Sequence, residues 1–296
     1  MDSFKVSIIL PTYNRAHLIE GCVNSVLSLK YQNWELIIAD DNSTDDTFSV
    51  GTAMQNKDER IHYYRNPHNL GLPKNRNRAI EFAKGDLIFF IEDDIILQPD
   101  CLTYLVDTFR DLMSSDIKVG IIAPALVVEN DIDKNNRRSI LNLSRSLIKA
   151  SSKNSPCSID ALTGIVYRNF STAFDKIQEV DDVHACSLYS RELFNEGFKF
   201  AYVYKGNYLG EETEFNFKVK RHGYKLFFQP KAVLYHKTVA IGGCRLSFYK
   251  WSYYFFRNHI LFIFRNYGIK SVYIIPGFLG FSLYVSLIYL LKRGRV

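Results

Sequence analysis

The sequence has no Cys-x-x-Cys pair, no Gly-x-Gly-x-x-Gly and no Gly-x-x-x-x-Gly-Lys-Ser/Thr. The last two absences remove the dinucleotide fingerprint and the P-loop. The five cysteines, Cys22, Cys101, Cys157, Cys186 and Cys244, are scattered and odd in number, which reads as reduced, structural thiols in a cytosolic compartment. No dense basic run occurs beyond Arg137-Arg138 and the tail Lys292-Arg293-Gly294-Arg295. The formal charge of +6 therefore fits weak attraction to an anionic membrane or to phosphorylated ligands, and no nucleic-acid partner is expected. No signal peptide is expected either, because Val6–Leu10 is too short for an apolar signal core and ends in Pro11-Thr12-Tyr13-Asn14. No internal repeat is visible.

What is present is a 296-residue chain, 47% hydrophobic and 23% charged, enough for one large or two modest globular domains. Its first part alternates in type. Val6–Leu10, Leu36–Ala39, Ile61–Tyr64, Leu87–Ile91 and Val119–Val127 read as strands, mostly buried. Between them lie helical patterns: Leu18 to Leu27 with Asn14 as N-cap, a helix from Asp45 capped by Thr44, one from Gly71 to Lys84, and one starting at Pro99. Such alternation predicts a mostly parallel sheet covered on both faces, a Rossmann-like α/β fold. Asp131–Pro156 is a polar interlude. Gly210–Gly223 reads as a helix, and Lys225–Phe228 and Ala232–Tyr235 as short strands around Gln229-Pro230.

Five apolar residues, Leu87 to Ile91, run straight into Glu92-Asp93-Asp94. Three consecutive carboxylates at a strand end repel one another unless a cation sits among them, and oxygen ligands of this kind hold divalent ions. A solvated acidic loop is the plain alternative. Other polar clusters fall at or beyond predicted strand ends: Pro11–Arg15, Asp40–Ser43, Glu211-Glu212 and His236. In an open α/β sheet these ends line one edge, where ligands bind.

These residues carry a resemblance. Val6–Arg15 followed by Ala39–Thr47 is similar to the start of family 2 glycosyltransferases. Gly71–Asn77, Glu92-Asp93-Asp94, Gly210–Phe215, and Gly223-Tyr224-Lys225 with Pro230 and Tyr235-His236 continue it in the family's order, over roughly residues 5–265. The resemblance implies the GT-A fold, a nucleoside-diphosphate sugar donor and inversion at the anomeric carbon. It also implies residue roles. Asp40 would accept the ring N–H of a pyrimidine base, favouring a uridine or thymidine donor. Pro11, Thr12 and Tyr13 would lie against that base, and Arg76 near the donor phosphates or an acid. Asp94 would ligate a divalent metal (Mn²⁺ or Mg²⁺) with His236, while Asp93 would support the ribose. Glu92 stands where the family often has Asp. Glu212 would be the base, with Glu211 supporting it; the family usually has Asp at the position of Glu212. An acidic helix start favoured by the macrodipole is equally consistent with that pair. His184 falls in the acceptor-facing region.

After residue 246 the chain changes character. Val272–Leu291 is twenty residues without a charge, long enough for a transmembrane helix. A helix lying in the membrane interface or buried in the protein is the alternative. The expected organisation is a nucleotide-sugar-binding half over residues 1–98, an acceptor-binding and catalytic half over 99–245, and a hydrophobic, membrane-associated helical segment over 246–296. The expected function is metal-assisted transfer of a sugar to a hydroxyl of a glycan or lipid-linked acceptor at the cytoplasmic face of the cell membrane, by a single-pass or lipid-associated protein. Transfer to polyprenyl phosphate, and a non-catalytic nucleotide- or carbohydrate-binding membrane protein, are the alternatives.

Overall fold

In the computed structural model, residues 3–129, 155–237 and 246–293 are described. The apolar runs become strands β1 (Val6–Thr12), β2 (Trp34–Asp40), β3 (Ile61–Arg65), β4 (Leu87–Phe90), β5 (Ile95–Leu97) and β6 (Val119–Glu129). The intervening amphipathic stretches become helices α1 (Ala16–Leu27), α2 (Thr47–Gln55), α3 (Leu72–Ile80) and α4 (Cys101–Ser114). A small hairpin, β7 (Cys157–Ile159) and β8 (Val166–Arg168), precedes β9 (Gln178–Val180), β10 (Leu188–Ser190) and the short helix α5 (Arg191–Asn195). Helix α6 (Glu211–Arg221) leads into β11 (Lys225–Lys237). Two helices, α7 (Phe248–Tyr267) and α8 (Ser271–Arg293), follow.

The main sheet runs β3-β2-β1-β4-β10-β6-β11-β5, with β9 also paired to β11. Strands β1 to β4 are parallel, as is the β6–β11 pair. Strands β10, β5 and β9 run against their neighbours. The sheet is therefore mixed, as the expectation of a mostly parallel sheet allowed. All three exceptions are three-residue strands, too short to show a period. The alternation of side chains splits the core. Ile8, Leu10 and Phe89 face α1 and α4, while Ile9, Phe90 and Tyr189 face α3 and α6.

Several boundaries differ from the sequence expectation. Asn14 is not a cap: it adopts a left-handed φ of 53°, and α1 starts after Arg15. Its side-chain oxygen instead accepts from the Thr44 N–H. The two strands expected around Gln229-Pro230 are one strand, β11, whose register shifts between Gln229 and Val233. A local irregularity is how a strand accommodates Pro230, which lacks an N–H. Helix α3 stops at Ile80 rather than Lys84. Most of the polar interlude, residues 130–154, lies outside the described residues.

Helices α7 and α8 pack through Phe262, Ile263, Ile274 and Phe278 around the buried Tyr204. The expectation of a transmembrane passage over Val272–Leu291 finds no support: among the described residues no helix is long and apolar enough to cross a membrane. The first turns of α8 bury Ile274 and Phe278, and a Cβ at Gly277 would lie 2.3 Å from the Leu162 carbonyl oxygen. The interface between α6 and α7 is held by Glu214, which is 1% exposed. It accepts two 2.8 Å bonds from Arg265, one of 2.6 Å from the Tyr204 hydroxyl, and pairs with Lys218 at 2.7 Å. Burial opposes the charge of Glu214, but these donors outweigh it and hold its carboxyl down at about 2. Its stabilising contribution is therefore complete above the unfolded-state value of about 4.3 and is lost as pH falls towards 2. Glu214→Gln is expected to cost about 2–3 kcal/mol at neutral pH. The gap to the parent protein should narrow on acidification to pH 3, as read by urea unfolding; an equal cost at both values would contradict the clamp.

Candidate active site

The parallel register sets the site. Thr12 pairs with Asp40, and Ile9 with Phe90, so the ends of β1, β2 and β4 open on one edge. The antiparallel pairing of β11 with β5 ends at His236 opposite Ile95, and the Lys237 N–H donates to the Asp94 carbonyl at 2.8 Å. Two segments far apart in sequence are thereby locked side by side. A cleft of about 750 Å³ opens over this edge, lined by Pro11, Thr12 and Tyr13 at one end and by Glu212, His236 and Trp251 elsewhere.

Asp93 and Asp94 are both 4% exposed. Asp93 accepts from Arg15 Nη1 at 2.5 Å and from Thr12 Oγ1 at 2.9 Å. Burial nevertheless pushes its carboxyl up to about 6, against the pull of Arg15. Asp94 accepts from Arg15 through Oδ2 at 3.0 Å, while Oδ1 faces His236 Nε2 at 3.4 Å. Burial works against its charge too, but His236 and Arg15 outweigh it and keep the carboxyl below its usual range. Oδ1 is buried and accepts no hydrogen bond. Ligand atoms of Glu92, Asp94 and His236 lie within 4.8 Å of one another. Burial, then the charge of Asp94, raises Glu92 to about 7. An unsatisfied buried carboxylate oxygen, a crowded second carboxylate and an imidazole make a donor set that suits a Mn²⁺-like ion. Glu92, least like the family in sequence, thus belongs with Asp94 and His236 in space.

Helix α6 delivers the second acidic pair. Gly210 turns the chain with a φ of 94°, where a Cβ would press on the Tyr204 ring at 2.9 Å. The helix then opens on Glu211 and Glu212, whose charge the N-terminal dipole favours. Glu211 is buried against the guanidinium of Arg76, and burial raises its carboxyl above the usual range in spite of that cation. Glu212, its side chain 22% exposed, reaches Arg76 Nη1 at 3.2 Å and faces Arg168 Nη1 at 3.7 Å. Arg168 is itself fixed by Asp182 at 2.5 Å and by the Thr213 hydroxyl at 3.0 Å. Glu212 is thus the accessible acid of the pair and sits between two guanidiniums.

Two sequence assignments, those of Asp40 and His184, need correction. Asp40 does not line the cleft: it is fully buried, accepting from the Ser43 N–H at 2.9 Å and the Tyr63 hydroxyl at 2.6 Å. The next residue, Asp41, lines the cleft instead, held by the N–H groups of Leu70 and Gly71, both at 2.8 Å. Adjacent residues leaving a strand point to opposite sides, so the sequence marks the Asp40-Asp41 pair but not which member faces the cleft. Arg76, 1% exposed, lies beneath the acids and takes the neighbouring-acid alternative, with Glu92 at 3.6 Å beside Glu211 and Glu212. His184 is buried beside Phe170 and bonds through Nε2 to the Pro124 carbonyl at 2.9 Å; burial lowers it to about 4, so it is a neutral core residue. Arg15, Asp41, Arg168 and Trp251 were not singled out for roles in the sequence. Only Asp41 had a local signal, because the other three acquire their partners through tertiary contacts.

Residues 7–198 match the sequence profile described as Glycosyl transferase family 2. The chain belongs to that family. The matched region ends before Glu211 and His236, so their place beside the family 2 motifs is a matter of geometry. Among curated relatives, UDP-Glc:alpha-D-GlcNAc-diphosphoundecaprenol beta-1,3-glucosyltransferase WfgD of Escherichia coli is 31% identical over 148 residues, 46% of this chain and 57% of the relative. GalNAc(5)-diNAcBac-PP-undecaprenol beta-1,3-glucosyltransferase of Campylobacter jejuni is 37% identical over 103 residues, 34% of this chain and 33% of the relative. The similarity thus spans between a third and just over half of their lengths. The solved structure of mannosyltransferase PcManGT from Pyrobaculum calidifontis, in complex with GDP-Man and Mn²⁺, superimposes with a TM-score of 0.62 at 16% identity, over 100% of this chain and 76% of the other. The family 2 chain thus shares the GT-A fold.

Proposed function

We propose that this family 2 chain transfers a sugar from a nucleoside-diphosphate donor, of uridine or thymidine type, to a hydroxyl of a glycan or lipid-linked acceptor, with inversion. The observation that carries this reading is Glu212, held between Arg76 and Arg168 in the same cleft as Asp94 and His236. The base would sit against Pro11–Tyr13, with Asp41 accepting its ring N–H, and Asp93 would support the ribose. Asp94 and His236, with Glu92 in reach, would hold a divalent cation, which supplies positive charge to the departing diphosphate when bound. The acceptor oxygen attacks the anomeric carbon, the carbon–oxygen bond to the diphosphate breaks on the opposite face, and the acceptor proton passes to Glu212. Arg76 and Arg168 orient that carboxylate, and Glu211 anchors Arg76 from below. The Glu212 side chain is 22% exposed, so an acceptor hydroxyl can reach it from the cleft.

The 1–98 half would carry the donor, residues 99–245 the acceptor and the base, and 246–296 the contact with the membrane, at its cytoplasmic face. The two bacterial relatives are named for transfer to undecaprenol-linked diphosphates, which favours a lipid-linked acceptor. The deciding experiment is a donor panel with Mn²⁺ and Mg²⁺, scored by nucleoside diphosphate release. Release from a uridine or thymidine donor is expected. Binding without release from any donor would instead support a non-catalytic carbohydrate- or nucleotide-binding protein.

A further inference from the structure

Glu214 is the last acidic residue of the sequence. The 82 positions after it hold fourteen of the 37 Lys and Arg and none of the 31 Asp and Glu. The same region concentrates exposed apolar side chains. Ten of the nineteen exposed large hydrophobics among the described residues lie between Tyr249 and Tyr284. They follow helical spacing. Tyr249, Tyr253, Phe256 and Phe264 fall on one stripe of α7, and Val272, Leu279 and Leu283 on one stripe of α8. At the turn between the helices Ile269 is 85% exposed and Val272 70%.

A second cavity, of about 370 Å³, lies at that turn, away from the catalytic cleft. Lys220, Arg221 and Lys270 line it, together with Asp181 and Tyr267. Lys220 is paired with Asp181, and Arg221 donates to the Asn266 carbonyl, which fixes both cations at the rim. The arrangement joins a fixed basic pocket to the most exposed aliphatic side chains among the described residues, Ile269 and Val272. Trp251, on the same helix as the aromatic stripe, lines the catalytic cleft.

We infer that the outer face of α7, the 268–270 turn and α8 docks on a bilayer surface rich in anionic phospholipid, with the Lys220, Arg221 and Lys270 pocket receiving a lipid phosphate. Tyrosine and phenylalanine rings suit the headgroup boundary, and cations gather at an anionic leaflet. A second copy fits poorly, because two faces whose cations outnumber the single Asp181 would repel. The inference deepens the membrane-face reading above and rests on no step of the transfer reaction. Docking would hold the Trp251 end of the cleft close to the lipid, where a lipid-linked acceptor presents its sugar.

The test is flotation of the full chain with vesicles of phosphatidylcholine alone or of equal parts phosphatidylcholine and phosphatidylglycerol. Binding to the anionic vesicles, weakened by added salt, is expected. Lys270→Gln should weaken it about fivefold. Ile269→Glu combined with Val272→Glu should abolish it, while all variants keep nucleotide binding as a check on folding. A parent protein that stays in the aqueous fraction with anionic vesicles would overturn the inference. So would equal binding to both vesicle types, or a dimer in buffer that Ile269→Glu dissolves. None of those results would bear on donor cleavage, so failure of docking is separable from failure of the transferase reading.

Discussion

Glu212→Gln is expected to lower turnover by roughly 10²–10⁴-fold, the range that a positioned base supplies. The amide keeps the size of the side chain and still accepts from Arg76, so folding and donor binding should be retained. The effect should fall on kcat, with the KM for donor little changed, because Glu212 acts on the acceptor proton rather than on the nucleotide. Circular dichroism and nucleotide titration give the controls. Full turnover in Glu212→Gln would remove the base from this residue. Glu211→Gln makes an informative companion: it is buried against Arg76 and should perturb stability before chemistry.

Replacing Asp94 by Asn should have an effect of comparable size through a different readout. Asp94 Oδ1 is the buried, unsatisfied oxygen nearest His236, and the substitution removes a charge that no neighbour replaces. A loss of several kcal/mol in transition-state stabilisation corresponds to 10²-fold or more in turnover. Mn²⁺ binding, followed by electron paramagnetic resonance in the presence of nucleoside diphosphate, should weaken in parallel. Weakened turnover with intact Mn²⁺ affinity would assign Asp94 to the ordering of Arg15 instead, since that guanidinium bridges Asp93 and Asp94. His236→Ala should move both readouts in the same direction as Asp94→Asn.

The α/β alternation was legible because buried strands and amphipathic helices have different periods, and the first four strands are long enough to show theirs. The order of the motifs was legible because most sit at or just beyond a strand end, where a sheet collects ligands, and Gly71–Asn77 and Glu211-Glu212 open helices. Legibility failed where a role depends on which way one side chain turns. Asp40 and Asp41 are equally acidic in sequence, yet the end of β2 turns one to Ser43 and Tyr63 and the other to the cleft. His184 looked like an acceptor contact until its ring was found against Phe170 and the Pro124 carbonyl. The uncharged run in α8 looked like a span, but its Ile274 and Phe278 are packed against Tyr204, Phe262 and Ile263.

Local chemistry in the chain was sufficient for the strand and helix types, the acidic ligand-rich edge and the family, because these depend on short-range periodicity and on residue type. The site itself was decided by tertiary structure. The β11–β5 register brings His236 to Asp94, Arg76 gathers Glu92, Glu211 and Glu212, and Arg168 arrives from a separate hairpin to face the same carboxylate. Each of these is a contact between distant segments, and a carboxylate's accessibility, charge and partners depend on what the fold packs around it rather than on its neighbours in the chain.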